Sequence, residues 1–381
     1  MREIIIEKTS DGTFSLGGLS KFKSLLENCK INLLLGAGFS YPILKTLGDS
    51  EKLLEYNEAH TVPKAAIIKA YLLWIFFQNS IANLANISPK TLGPHREFAH
   101  IIEQILRQRS NPILRRQINV FTSNYDPILE LAFDSTSQLI CNDGFEGNLK
   151  KKFSTDNFCK VIYRQAIFSE NMVEMPMVNL LKMHGSVTWQ LHDEELSYCN
   201  YSQQIQAFSD RYKNLFSNQS CQKMEEIITS DITVSEKYTQ LETVLSRKRC
   251  SAKYDDFLAD YIDSFVIVNP TKEKFRTTVM KTFYHEILRM YSNELEKQNT
   301  LLIAFGFSFR DEHILEITRR SLINPSLLLY AFCYDDETFD DLKRKFSHLK
   351  HANVFLVKMK DEKLGLLEFN NILHAVFAGG K

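Results

Sequence analysis

The chain has 381 residues, and its 46 Lys and Arg balance 46 Asp and Glu. That balance excludes a global field that would draw it onto nucleic acid or anionic lipid, so no direct nucleic-acid binding is expected. Hydrophobic residues at 44% and charged residues at 24% exclude a disordered chain. Its 14 glycines and 9 prolines, roughly half the usual share, point to regular elements over flexible linkers.

In chain order, helix is expected over 19–29, then a short buried strand over 32–35 that runs into a glycine turn at Gly36 and Gly38. Residues 42–108 read as mostly helical. Within them 65–77 is apolar nearly all round, as a buried helix is. Interrupted by Lys69, that stretch falls short of the ~20 residues a membrane span needs. A strand is expected at 118–122, a helix from 127 to 133, and strands at 161–164 and 178–183. Residues 200–249 are polar and helical in spacing, an insertion facing solvent or a partner. Strands then return at 265–268, 301–305, 327–333 and 354–357, alternating with helices at 275–295, 311–322, 336–346 and 364–377.

Repeated strand–helix units with apolar strands predict an α/β fold: a Rossmann-like parallel sheet with helices on both faces. Insertions at about 42–110 and 200–250 would add a helical subdomain to one α/β domain over 1–381. The amino-terminal residues lack the apolar core of a secretory signal. Cys29, Cys141, Cys159, Cys199, Cys221, Cys250 and Cys333 are odd in number and scattered, with no C-x-x-C pair. Neither a zinc ribbon nor a disulfide framework is expected, and a reducing cytoplasm is the natural setting.

Four constellations can carry chemistry. In Leu33-Leu34-Leu35-Gly36-Ala37-Gly38-Phe39-Ser40 an apolar strand runs straight into G-A-G. Glycines there permit a tight turn and close approach of a ligand, and a following helix N-terminus offers N–H groups to a pyrophosphate. Tyr41 stands where the third glycine of G-x-G-x-x-G belongs, and a turn that merely needs glycine gives the same pattern. Thr122-Ser123-Asn124-Tyr125-Asp126 puts short polar groups at a strand's carboxyl end, where open α/β sheets bind ligands; Asn124 or Asp126 would equally cap a helix. Lys182-Met183-His184-Gly185-Ser186 sets a histidine just past an apolar strand, able to serve a cleft near neutral pH or simply to bond backbone. Gly306-Phe307-Ser308-Phe309-Arg310-Asp311-Glu312-His313 repeats the strand–glycine–polar–helix junction. Gly306 and Ser308 suit phosphate or ribose, and Asp311 and Glu312 suit a helix's first turn.

In this order and spacing, NLLLGAGFS, FTSNYD, KMHGSV and GFSFRDEHI resemble the sirtuin fold family, over roughly residues 31–335. Within it they look like the bacterial sirtuin-like NADases of antiphage defence. The resemblance implies an NAD+ glycohydrolase that depletes NAD+ in abortive infection, with NAD+ as substrate and no metal. It places Gly36, Ala37 and Gly38 along the diphosphate, with Ser40 beside it. Ser123 and Asn124 fall by the scissile N-glycosidic bond, Asp126 on the carboxamide, and His184 at the nicotinamide ribose. Gly306 and Ser308 fall toward the adenosine, and Cys333 and Tyr334 border the adenine. Asn124 and His184 are then the catalytic pair.

The zinc-binding cysteines of the deacetylases are missing, and Tyr41-Pro42-Ile43-Leu44 replaces the stretch that follows their G-A-G-x-S. Both departures favour NAD+ hydrolysis over deacylation. The other readings are a catalytically silent NAD or ADP-ribose scaffold, and a sirtuin-type deacylase or ADP-ribosyl transferase. With no room expected for a fused sensor domain, the chain resembles the stand-alone component that forms a large homo-oligomer and docks on a HerA-type hexameric ATPase.

Overall fold

Successive side chains on a strand point to opposite faces, so a strand that is apolar at every position must be covered on both sides. Leu301–Phe305 is apolar throughout, and the whole strand Thr300–Phe305 (TLLIAF) is buried at all six positions. The computed structural model describes residues 1–8, 14–15, 17–44, 50–59, 64–109, 111, 113–192, 195–248, 251–268, 278–349 and 353–378. Its strands are β1 (Arg2–Lys8), β2 (Phe14–Ser15), β3 (Lys30–Leu35), β4 (Gln117–Thr122), β5 (Ile140–Asn142), β6 (Phe145–Glu146), β7 (Lys152–Phe153), β8 (Tyr163–Gln165), β9 (Met172–Glu174), β10 (Met177–Lys182), β11 (Trp189–His192), β12 (Glu195–Tyr198), β13 (Thr300–Phe305), β14 (Leu327–Phe332) and β15 (Val354–Met359). The central sheet has the order β2-β1-β15-β14-β13-β3-β4-β10-β5. Every pairing in it except β2 with β1 is parallel.

Alternate residues of these strands feed two cores. Leu33, Val120, Leu180, Ile303 and Phe332 pack with helices Phe22–Asn28, Gly93–Gln108, Ile128–Phe133 and Leu366–Ala378. Leu34, Phe121, Leu181, Leu302 and Leu329 pack with Thr278–Glu296, Glu312–Ser321 and Asp336–Phe346. The chain is therefore mixed α/β, with a large, mostly parallel central sheet flanked by helices.

One polar line crosses this apolar sheet. Asn119 donates to Asn32 Oδ1 at 2.9 Å, Asn179 to Asn119 Oδ1 at 3.0 Å, and Asn142 to Asn179 Oδ1 at 2.9 Å. These residues are direct partners across β3, β4, β10 and β5. A slip of one residue in any pair would bury unpaired amides and turn apolar side chains to the wrong face.

The polar segment after residue 200 forms helices Tyr201–Tyr212, Asn218–Thr229 and Val234–Val244, and the insertion runs on through Ala252–Ser264. Its helices are amphipathic and not wholly solvated. Phe208, Phe216, Phe257 and Tyr261 are buried with Trp74 and Phe77, and Trp74 stacks on Phe216 at 4.8 Å. That explains why 65–77 is apolar all round: it is the centre of this helical layer. The helical run extends further than the sequence pattern suggests, over Ala65–Asn86, long and apolar enough to cross a membrane but two-thirds buried within the protein.

Three other expectations change. Residues 265–268 form no sheet strand; Ile267 makes a lone antiparallel bridge to Gly185. A four-residue apolar run fits a buried loop as well as a strand, and this one is buried against the turn after β10. The strand expected at 161–164 is instead β8, half of an isolated hairpin with β9. The sequence pattern does not mark β1 or the edge strand β5, because β1 turns only Ile4 and Ile6 inward and β5 is three residues long. The expected helix start at 275–277, parts of the 42–110 insertion, and Cys250 lie outside the described residues.

Truncating the middle of the asparagine line tests its weight. Asn119→Ala removes two buried hydrogen bonds and strands their partners, so unfolding free energy should fall by about 2–3 kcal/mol. Urea denaturation of the full chain measures it, and an unchanged midpoint would reduce the line to decoration.

Candidate functional site

The carboxyl ends of β13, β3, β4 and β10 lie side by side, and each of the four sequence constellations leaves from one of them. β3 is flanked by β4 on one side and β13 on the other, so the strand order reverses there. Crevices at such reversals are where open α/β sheets hold ligands.

The turns after β3 and β13 interlock. Gly36 N–H donates to Phe305 O at 3.2 Å, and Gly38 N–H to Gly306 O at 3.0 Å. A Cβ on Gly36 would lie 2.4 Å from Gly306 O, and one on Gly38 would lie 2.6 Å from Gly306 Cα. Gly306 itself has a φ of +62°. Packing of one turn on the other thus already requires these glycines. The helix expected after G-A-G is a single turn, Ala37–Ser40, and the N–H groups of Gly36, Gly38 and Phe39 are taken by backbone carbonyls. Ala37 is the exposed residue of this turn.

The T-S-N-Y-D segment closes onto that turn from β4. Thr122 Oγ1 donates to Leu35 O at 2.9 Å and accepts from Asn124 N–H at 3.0 Å. Asn124 Nδ2 donates to Gly36 O and to Ser40 Oγ, both at 2.9 Å. The Gly36 carbonyl only accepts, so the amide must present its NH2 there and turn Oδ1 away. Oδ1 takes no hydrogen bond from the described residues. Ser40 Oγ donates onward to Asp126 Oδ2 at 2.8 Å, and Asp126 Oδ1 accepts Ile128 N–H at 3.0 Å. Ser40 and Asp126 are 2% and 4% exposed. With Asn124, itself 7% exposed, they form one buried hydrogen-bonded chain. Ser123 is half-buried beside them.

His184 sits at the next strand end. Met183 N–H donates to Thr122 O at 2.8 Å, which ties its turn to β4. Gly185 has a φ of +78°, and a Cβ there would lie 2.2 Å from Val266 O. The buried 265–268 segment grips this turn, with Ser186 N–H on Val266 O at 3.0 Å and Val268 N–H on His184 O at 2.8 Å. His184 Nε2 lies 3.1 Å from Asp311 Oδ2, and its ring is 6.2 Å from that of Tyr284. Asp311 Oδ1 meanwhile caps helix Glu312–Ser321 through His313 N–H and Ile314 N–H. The loop 306–311 carries Asp311 from the end of β13 to His184. It does so through two left-handed residues, Gly306 and Phe309 at φ +51°. Phe309 is fully buried and packs edge-on to Phe307 and Phe346. Ser308, on the same loop, is exposed.

Among the described residues the site thus has two hydrogen-bonded groups, one around Asn124 and one around His184. They are joined through paired backbone rather than by a side-chain bond. Three residues without a sequence-based role belong to this setting. Asp311, which the sequence suits to a helix's first turn, is instead its cap and also holds His184. Lys182, 2% exposed, pairs with Glu130 at 2.6 Å and donates to Asp126 O at 2.5 Å and Ser186 Oγ at 3.1 Å. Burial raises the Glu130 pKa, while Lys182 pulls it down. A lysine at the carboxyl end of a mostly apolar strand is the signal that could have marked it.

The third is His95, 2% exposed, whose Nε2 donates to Phe39 O at 2.8 Å behind the glycine turn. Burial pushes its pKa down, against the Phe39 bond and the Asp126 charge. Folded His95 thus stays neutral where the unfolded chain takes up a proton, below about pH 6.5. Its contribution to stability is whole above that pH and is lost as pH falls. Denaturation between pH 7 and pH 5 should show a shallower loss in His95→Gln than in wild type, by up to about 1.4 kcal/mol per pH unit. Identical slopes would assign the acid sensitivity elsewhere.

Compared with models of protein families and with curated protein sequences, the chain matches none.

Proposed function

We propose that this protein is an NAD+ glycohydrolase built on a Rossmann-like sheet, with Asn124 and His184 as its catalytic residues. The observation that carries the reading is the convergence of four polar strand ends at the reversal of strand order, with an amide and an imidazole each held by its own buried or half-buried partners.

The chemistry follows from donors and acceptors. The Asp311 carboxylate only accepts, so His184 Nε2 carries the proton and Nδ1 keeps its lone pair. Asn124 Oδ1 can hold a water by accepting one of its hydrogens. Attack of that water on the anomeric carbon breaks the bond to nicotinamide, whose ring nitrogen takes the electron pair and leaves neutral. The water's proton passes to His184 Nδ1, and the products are nicotinamide, ADP-ribose and a proton. Positive charge builds on the ribose in the transition state, and the Asp311 carboxylate stabilises the imidazolium that forms. Asp126 and Ser40 orient Asn124. Gly36, Ala37, Gly38, Gly306 and Ser308 offer the diphosphate and adenosine side of the substrate a surface of backbone and one exposed hydroxyl. In the same reading the chain depletes NAD+ in antiphage defence, as a homo-oligomer restrained or released by a HerA-type ATPase.

Incubation of the purified chain with NAD+, alone and with such an ATPase, and chromatography of nicotinamide and ADP-ribose test this. Asn124→Ala and His184→Ala should each lower turnover by about 10²–10⁴-fold with the fold intact. Asp311→Asn keeps the cap through its one oxygen but turns an NH2 donor toward Nε2, so the ring tautomer that leaves Nδ1 its lone pair loses its partner, and kcat should fall with KM little changed. NAD+ binding without nicotinamide release would instead support the silent scaffold, and wild-type turnover in Asn124→Ala or His184→Ala would refute the assignment.

A further inference from the structure

The β8–β9 hairpin pairs Tyr163 with Glu174 and Gln165 with Met172, and it belongs to no larger sheet. Two-stranded hairpins are marginal alone in water and normally bury one face. Here the apolar residues point outward: Ile167 is 89% exposed, Phe168 99% and Met172 59%. Ile162, Tyr163 and Val173 are also well exposed. Tyr163 and Met172 share one face of the hairpin and with the tip residues Ile167 and Phe168 present roughly 500 Å² of largely apolar surface, while Ile162 and Val173 lie on the other face. Monomers rarely show a patch above ~300–600 Å², and a stable interface needs ~800 Å² per partner.

The hairpin is nonetheless held in place. Arg115 donates to Tyr163 Oη at 2.7 Å, Arg116 N–H to Glu174 Oε1 at 3.0 Å, and Met175 N–H to Ile162 O at 2.8 Å. Glu174 at its base is half-buried and taken by Arg116 N–H, which leaves three exposed charges. Arg115 and Arg164 lie toward the base and Glu170 at the tip, all exposed and without an ion-pair partner among the described residues. Two such hairpins packed antiparallel about a two-fold axis bring each acidic tip to the other's basic base and cover both apolar surfaces at once. A self-complementary pattern of this kind is what an isologous contact requires.

We propose that residues 162–174 form a homotypic arm that packs against the same arm of a second copy of this chain. The arm gives a surface to the homo-oligomer of the proposed function, yet its support is the exposed hairpin and not the chemistry. It leaves the amino end of β10, whereas His184 follows the carboxyl end, so the two can fail separately.

Sedimentation velocity and light scattering of the full chain at micromolar concentration should give an even multiple of 44.2 kDa. Phe168→Glu should weaken that assembly at least ~30-fold, the scale of a central interface residue. Its circular dichroism and melting should match wild type. Glu170→Arg should weaken it too, and adding Arg164→Glu should restore it. Asn124→Ala should keep the wild-type mass whatever its NAD+ turnover. A monomeric wild type, a mass indifferent to Phe168→Glu, or Phe168-dependent capture of a different protein by a monomer would each overturn the proposal.

Discussion

The register of four parallel strands is the constraint on which the candidate site rests. Parallel strands have no tight turn to fix their alignment, and an apolar face tolerates more than one stagger. Asn32, Asn119, Asn179 and Asn142 remove that freedom, because each makes its amide–amide hydrogen bond only when it faces the next. Once they are aligned, Leu35, Thr122 and Lys182 end their strands at one level. The polar residues one or two positions further on then meet at one edge.

Above that level, rigidity comes from contacts between backbones. Gly36 and Gly38 lie so close to Gly306 that no side chain fits between them, and Gly185 meets the 265–268 segment in the same way. The turns after β3, β13 and β10 are therefore held by direct packing. A buried chain of Asp126, Ser40 and Asn124 is laid over the first of them. Polar networks of this kind hold an amide in one rotamer, since any other orientation leaves a buried donor unpaired.

The loop that carries Asp311 does double work. One carboxylate oxygen starts a helix and the other holds His184. The loop passes through a left-handed Phe309, a conformation that bulky residues adopt only when the surroundings enforce it. The aromatic packing of Phe309 on Phe307 and Phe346 supplies that enforcement.

By itself the sequence determined the strand–helix alternation, the apolar strands of a sheet covered on both faces, and the polar residues that follow those strands. These are local facts, written in periodicity and in what stands after a run of leucines. It left open which function a glycine or an aspartate serves, because one residue type suits a ligand, a cap or a close packing contact. Tertiary structure alone decided that Gly36 and Gly38 meet Gly306, that Asp126 acts through Ser40, that Asp311 reaches His184, and that 265–268 is a clamp and not a strand. Each of those choices joins residues about 80 to 270 positions apart, and no local pattern encodes such a partner.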